Sequence, residues 1–145
     1  MTAAAPPLKL LAQDVEDLQL ISAALQDAVV RLADISYAPA ARTLTFPVCR
    51  FRWEGDGSAR VSAAVQFGDV LGVQARGEAA GARDRTASLL AIEFAPAAEA
   101  EDPGGAVMLR FAGGGDIRLQ VECIDAAMAD LAEPWTALAK PRHGA

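Results

Sequence analysis

The chain has 145 residues, of which 52% are hydrophobic and 22% charged, and its net charge is −6 at pH 7. A chain of that length can bury about two-thirds of the surface its unfolded form exposes, so the composition describes one folded domain and argues against disorder. The acidic balance speaks against nucleic acid and anionic membrane, which need phosphates neutralised by Lys and Arg, and no run approaches the roughly 20 apolar residues of a membrane-spanning helix.

Residues 1–8, rich in Ala and Pro, are expected to be a loose arm, and they lack the apolar core of a secretory signal. With no sign of export, a reducing, cytoplasmic location is expected. From Asp14 the spacing of Val15, Leu18, Ile21 and Leu25 predicts a helix over 14–26, with Asp14 as N-cap and Glu16 and Asp17 near its positive end. The periodicity runs on to Val29 and Leu32, but residues 28–37 also make a good strand, which would give the next strand a partner across a turn containing Pro39.

That next strand spans about Thr43 to Trp53, and Pro47 within it implies an edge or a bulge because proline cannot donate to a ladder. A turn over 54–58 leads to a third strand, Arg60 to Phe67, placing Phe51 opposite Val61 and Arg52 opposite Arg60. Gly68-Asp69 marks a bend before Val70 to Ala75, residues 77–86 read as a loop, and Leu89 to Phe94 is apolar enough to suggest burial on both faces. Residues 95–105 form a second loop.

The clearest stretch follows. Val107, Leu109 and Phe111 alternate with Met108 and Arg110, Gly113-Gly114-Gly115 supplies a reversal, and Ile117, Leu119, Val121 and Cys123 alternate with Asp116, Arg118, Gln120 and Glu122. The expected register pairs Phe111 with Ile117, Leu109 with Leu119 and Val107 with Val121. Asp125 can then cap a short helix over 125–133, with Ile124, Met128, Leu131 and Trp135 on one stripe and Pro134 as its limit, before a tail at 139–145.

Seven antiparallel strands followed by a terminal helix resemble the pleckstrin-homology superfold over about residues 28–135, with the N-terminal helix a departure from its simplest version. That resemblance implies an α+β fold, a seven-stranded split barrel with an N-terminal helix and a C-terminal capping helix. The competing arrangement is a single curved antiparallel sheet with both helices on one face. At the level of whole sequence the chain resembles a family of small alphaproteobacterial proteins of unknown function, through Leu-Gln-Asp-Ala-Val-Val (25–30), Arg-Phe-Arg-Trp-Glu (50–54), Phe-Ala-Gly-Gly-Gly (111–115), Ile-Arg-Leu-Gln-Val-Glu-Cys-Ile (117–124) and Pro-Arg-His (141–143). No activity comes with it.

Few catalytic chemistries have the residues they need. The sole histidine, His143, lies in the expected tail, so a nucleophile would have no positioned base. Cys49 and Cys123 stand in no ligand spacing and read as buried free thiols; Glu99, Glu101 and Asp102 read as solvated loop acids; the triple glycine leads into a strand and not a helix, which suits a hairpin better than a phosphate cradle. No metal or cofactor is expected. Asp69, Glu93 and Glu122 can meet in space as paired carboxylates, though nothing in their spacing demands it.

Arginine is the residue type to follow. Arg50, Arg52 and Arg60 are expected on one wet face, and the register opposes Arg110 to Arg118. Opposed like charges need an anion nearby, either the local Glu54, Asp116 and Glu122 or a bound small anion or acidic peptide. The loop 38–42 has one basic residue, too few for the phosphoinositide site that the pleckstrin-homology resemblance would ask for. The expectation is a non-enzymatic module that docks a protein or peptide along a sheet edge or beside the terminal helix. The second possibility is a small-anion or metabolite-sensing regulatory domain using the arginine face.

Overall fold

The structure, a computed structural model, describes residues 7–53, 59–81 and 84–131. In chain order these form β1 (Lys9–Ala12), α1 (Val15–Ala24), β2 (Val29–Arg31), β3 (Ser36–Ala38), β4 (Thr43–Phe51), β5 (Arg60–Phe67), β6 (Val70–Arg76), β7 (Thr86–Pro96), β8 (Gly105–Phe111), β9 (Asp116–Val121) and β10 (Ala126–Asp130). Short 3-10 turns occupy Leu32–Asp34 and Gly77–Ala80. All strand pairs are antiparallel, in the order β1-β10-β5-β4-β2-β7-β8-β9-β6, with β3 alongside β4 next to β2.

This is one open 10-stranded sheet. It overturns the seven-stranded pleckstrin-homology-like split barrel, and with it the C-terminal capping helix. Residues 126–130 are a strand, clamped between β1 and β5 through Met128↔Leu10 and Met128↔Val65. The stripe that suggested a helix also has strand parity: Ile124, Ala126, Met128 and Asp130 are buried, while Ala127 and Ala129 between them are partly open. Alanine favours helix intrinsically by less than about 1 kcal/mol per residue, which ladder bonds on both sides outweigh. Pro134, Trp135, the 139–145 tail, His143, Glu54 and the 54–58 turn lie outside the described residues.

α1 forms where its spacing places it. The Asp14 carboxylate accepts from the Asp17 N–H at 2.8 Å, and Leu18 and Ile21 of the helix, with Leu25 at its C-cap, bury against the sheet, each burial contributing about 1.5–3 kcal/mol. The helix lies against β1, β10 and β7. After the Leu25 C-cap the chain turns at Asp27, whose φ is 64° and whose N–H meets the Leu89 carbonyl at 2.8 Å. Ser22 Oγ accepts the Ile92 N–H at 2.9 Å, beyond the three residues of β7 that β2 pairs.

Two registers differ from expectation. In the β8–β9 hairpin Leu109 faces Ile117 and Val107 faces Leu119, a shift of two residues that leaves Val107, Leu109, Phe111, Ile117 and Leu119 on the inner face. In β4–β5 the shift is odd: Arg50 faces Val61, and Phe51 faces Arg60. Arg50 therefore points inward with Leu44, Phe46 and Val48, and Phe51 points outward. The sheet's curvature returns the start of β6 to β3 and β4, where the Val70 N–H donates to the Arg42 carbonyl at 2.9 Å and the Tyr37 hydroxyl to the Val70 carbonyl at 3.4 Å.

Candidate functional site

The arginines separate into different roles. Arg50 is wholly buried, its Nε and Nη2 each 2.8 Å from an Asp130 carboxylate oxygen, with Nη1 donating to the Phe51 carbonyl at 2.9 Å. The same carboxylate accepts the Leu8 N–H at 2.8 Å. Three distant stretches thus meet on one ion pair, placed where solvent cannot reach it. Arg60 lies 4.9 Å over the Phe51 ring, which in turn packs at 5.4 Å on Trp53, whose Nε1 donates to the Gln26 carbonyl at 3.2 Å. An exposed cation–π contact of this kind contributes about 0.5–1 kcal/mol. The Arg52 N–H closes the ladder to the Ala59 carbonyl at 2.9 Å.

Arg110 and Arg118 are not opposed: Arg110 faces Asp116, and Arg118 faces Met108 on β8 and Gln74 on β6. Glu93 holds Arg110 at 2.5 Å, and that hydrogen bond with its charge pushes the guanidinium above its ordinary value. Arg76 is paired with Asp116 at 3.1 Å and Arg42 with Glu122 at 2.6 Å. Arg118 is exposed and meets no carboxylate among the described residues.

The acids that sequence reasoning grouped do not converge. Glu93 and Glu122 hold the arginines just named, and Asp69, in the left-handed region at φ 56°, meets Cys123 and Asp125 instead. Desolvation, then the hydrogen bond and charge of Asp69, push the Asp125 carboxyl above its usual range. Burial, then Asp69, pushes the Cys123 thiol up. A thiol held protonated in this way is a poor nucleophile. Cys49 and Cys123 are both free and partly buried. Among the described residues no group of three or more His, Cys, Asp or Glu is placed to hold a metal ion. Asp102 in the loop before β8 accepts the Gly104 N–H at 2.8 Å, which shapes that turn.

A concave feature of the molecule lies where β6 leaves β3. β6 pairs with β9 on one side, and past Val70 no described strand pairs with the other. By register Val73 and Ala75 sit on the inner face with Leu119 and Ile117, yet Val73 is 37% exposed because nothing described covers it. Between the two strands opens a cleft of about 190 Å³, lined by Leu32, Ile35, Tyr37, Leu44, Val73, Ala75, Ala79 and Ile117. An apolar cavity of about 150 Å³ accommodates a benzene ring, so the cleft has room for one apolar side chain. On the outer side of β6 is a second depression, about 270 Å³, floored by Gly72, Val73, Gln74, Arg118 and Gln120. Tyr37 carries the one polar side chain of the inner cleft. Hydrophobic patterning gave no warning of the cleft, because Val73 and Ala75 look like any core residues; a short edge strand beside a glycine was the available signal.

Fold and site define a predominantly antiparallel β protein with an apolar cleft at an open strand margin. The chain belongs to the family described as protein of unknown function (DUF2948), whose sequence model matches residues 8–143. Comparison with curated proteins gives no match, and neither does comparison with solved structures. Among the described residues no helix is long and apolar enough to cross a membrane.

Proposed function

We propose that the chain is a non-enzymatic bacterial binding module of the cytoplasm, which docks an extended segment of another protein along β6. The observation that carries this is the conjunction of a strand margin unpaired among the described residues with an apolar cleft directly beside it. Strand addition draws affinity from backbone hydrogen bonds and selectivity from pockets that receive alternate side chains. An unpaired margin left merely to solvent is normally protected by charge or proline, whereas Leu71 and Val73 on β6 are 48% and 37% exposed. The titratable groups that do meet, Asp69, Asp125 and Cys123, line neither the cleft nor the outer depression, which favours binding over catalysis. An anion sensor built on the arginines as a set has less support, since Arg50 and Arg110 already hold carboxylates.

The test is site-specific photo-crosslinking in the native cell. A photoreactive residue at position 74 should capture one discrete protein, and Val73→Asp should abolish that adduct. The same probe at position 19, on the exposed side of α1, should capture nothing comparable. Equal labelling at both positions, or an adduct indifferent to Val73→Asp, removes the proposal.

A further inference from the structure

The geometry points to a partner segment in which apolar and acidic residues alternate, an inference that rests on the strand-docking function proposed above. A strand laid along β6 sends successive side chains to opposite faces of the sheet. One set enters the inner cleft between Tyr37, Leu44, Val73, Ala75 and Ile117, where nothing charged can be matched. The other set passes over the outer depression, in which Arg118 is the sole charge.

Charge complementarity fixes the sign of that second set. Arg42, Arg76 and Arg110 are each occupied by a carboxylate of this chain, whereas Arg118 is exposed and meets none among the described residues. Arg118 stands on β9 opposite Gln74, one strand in from the margin, and must reach across β6 to touch an added strand. Two inter-strand spacings of about 4.8 Å each separate β9 from an added strand, so the Arg118 guanidinium and a partner carboxylate must each cover part of the way. Gly72 leaves the lane open: a Cβ there would have no atom within 4 Å. Gln74 and Gln120 flank the lane and can donate to the same carboxylate. A lysine in the partner at that position would meet Arg118 with nothing to offset it.

Three blocked seven-residue peptides test this on the full chain: Thr-Glu-Leu-Glu-Val-Glu-Thr, its lysine counterpart and its glutamine counterpart. Affinity is read by fluorescence polarisation at low salt, and position by hydrogen exchange at the amides of residues 72–75. The glutamate peptide should bind about fivefold more tightly than the glutamine one, the scale of a single exposed ion pair, and the lysine peptide should bind weakest. Arg118→Glu should invert that order while exchange elsewhere in the sheet stays unchanged. If the peptides slow exchange at β6 in an order independent of charge, or an order that survives Arg118→Glu, the alternating acidic pattern is wrong and strand docking stands. If none of them slows exchange at β6, strand docking itself is overturned.

Discussion

At the scale of single residues, Arg50 and Asp130 determine most. Charges removed from water are tolerated only when paired and hydrogen-bonded, and here both conditions hold through the bidentate contact and the Leu8 and Phe51 backbone groups. Asp130→Ala leaves a buried guanidinium without its carboxylate, and a loss of about 3–5 kcal/mol in urea unfolding is expected. Arg50→Met with Asp130→Leu should recover part of that loss. It should not recover all, because the Leu8 N–H and the Phe51 carbonyl lose partners at about 1–3 kcal/mol each. The sequence held a clue: Leu44, Phe46 and Val48 set an even inner parity that carries on to Arg50. Taking Phe51 and Trp53 as the dry side hid it, since aromatics look like core even where they stack under Arg60 on the surface.

Asp125 gives a second residue-scale prediction, of opposite sign to the usual carboxylate. Its folded-state value is raised above the ordinary 3.8. The protonated form is therefore favoured by folding, and the associated stability is present in acid and lost as pH rises through the raised value. Asp125→Asn should be more stable than the parent at pH 7 by up to about 1 kcal/mol, given that the pair is open to solvent. The advantage should shrink as pH falls through the raised value, as followed by urea midpoints across that range.

At the scale of elements, the final described strand is the instructive case. Residues 125–131 carry alanines, an acidic first residue and an apolar spacing of four and three, and all of these also describe a short helix. Only partners distant in sequence, β1 and β5, decide for strand, and a local pattern cannot see them. Ala127→Pro separates the alternatives. In the first turn of a helix proline is tolerated, but between two partner strands it orphans a ladder acceptor at about 1–3 kcal/mol. Circular dichroism with urea titration should show that loss. Strands as short as β1 and β3 were invisible for a related reason, having too few residues to establish a period. The long β8–β9 hairpin was legible because an even register error cannot move its side chains to the wrong face.

At the scale of the molecule, sequence conveyed antiparallel sheet and the one described helix, but not how the sheet is arranged. Counting strands in chain order suggested closure. The observed order instead places β6, directly after β5 in sequence, at the far margin of the sheet, and threads β10 between β1 and β5. No property of a strand by itself encodes that rearrangement. The apolar cleft is a by-product of the same arrangement, because a sheet that stops short of closing leaves the β6 margin partly uncovered among the described residues.

The ion pair also has a history in time. The Leu8 N–H and the Asp130 carboxylate that accepts it are 122 residues apart, so at about 5–20 residues per second a ribosome needs roughly 6–25 s between making one and the other. Throughout that interval the opening strand has no neighbour to lie against, and Arg50 must stay hydrated. The interior can therefore set only once almost the whole described length has emerged, and synthesis halted before Asp130 would yield a chain that proteases see as unfinished.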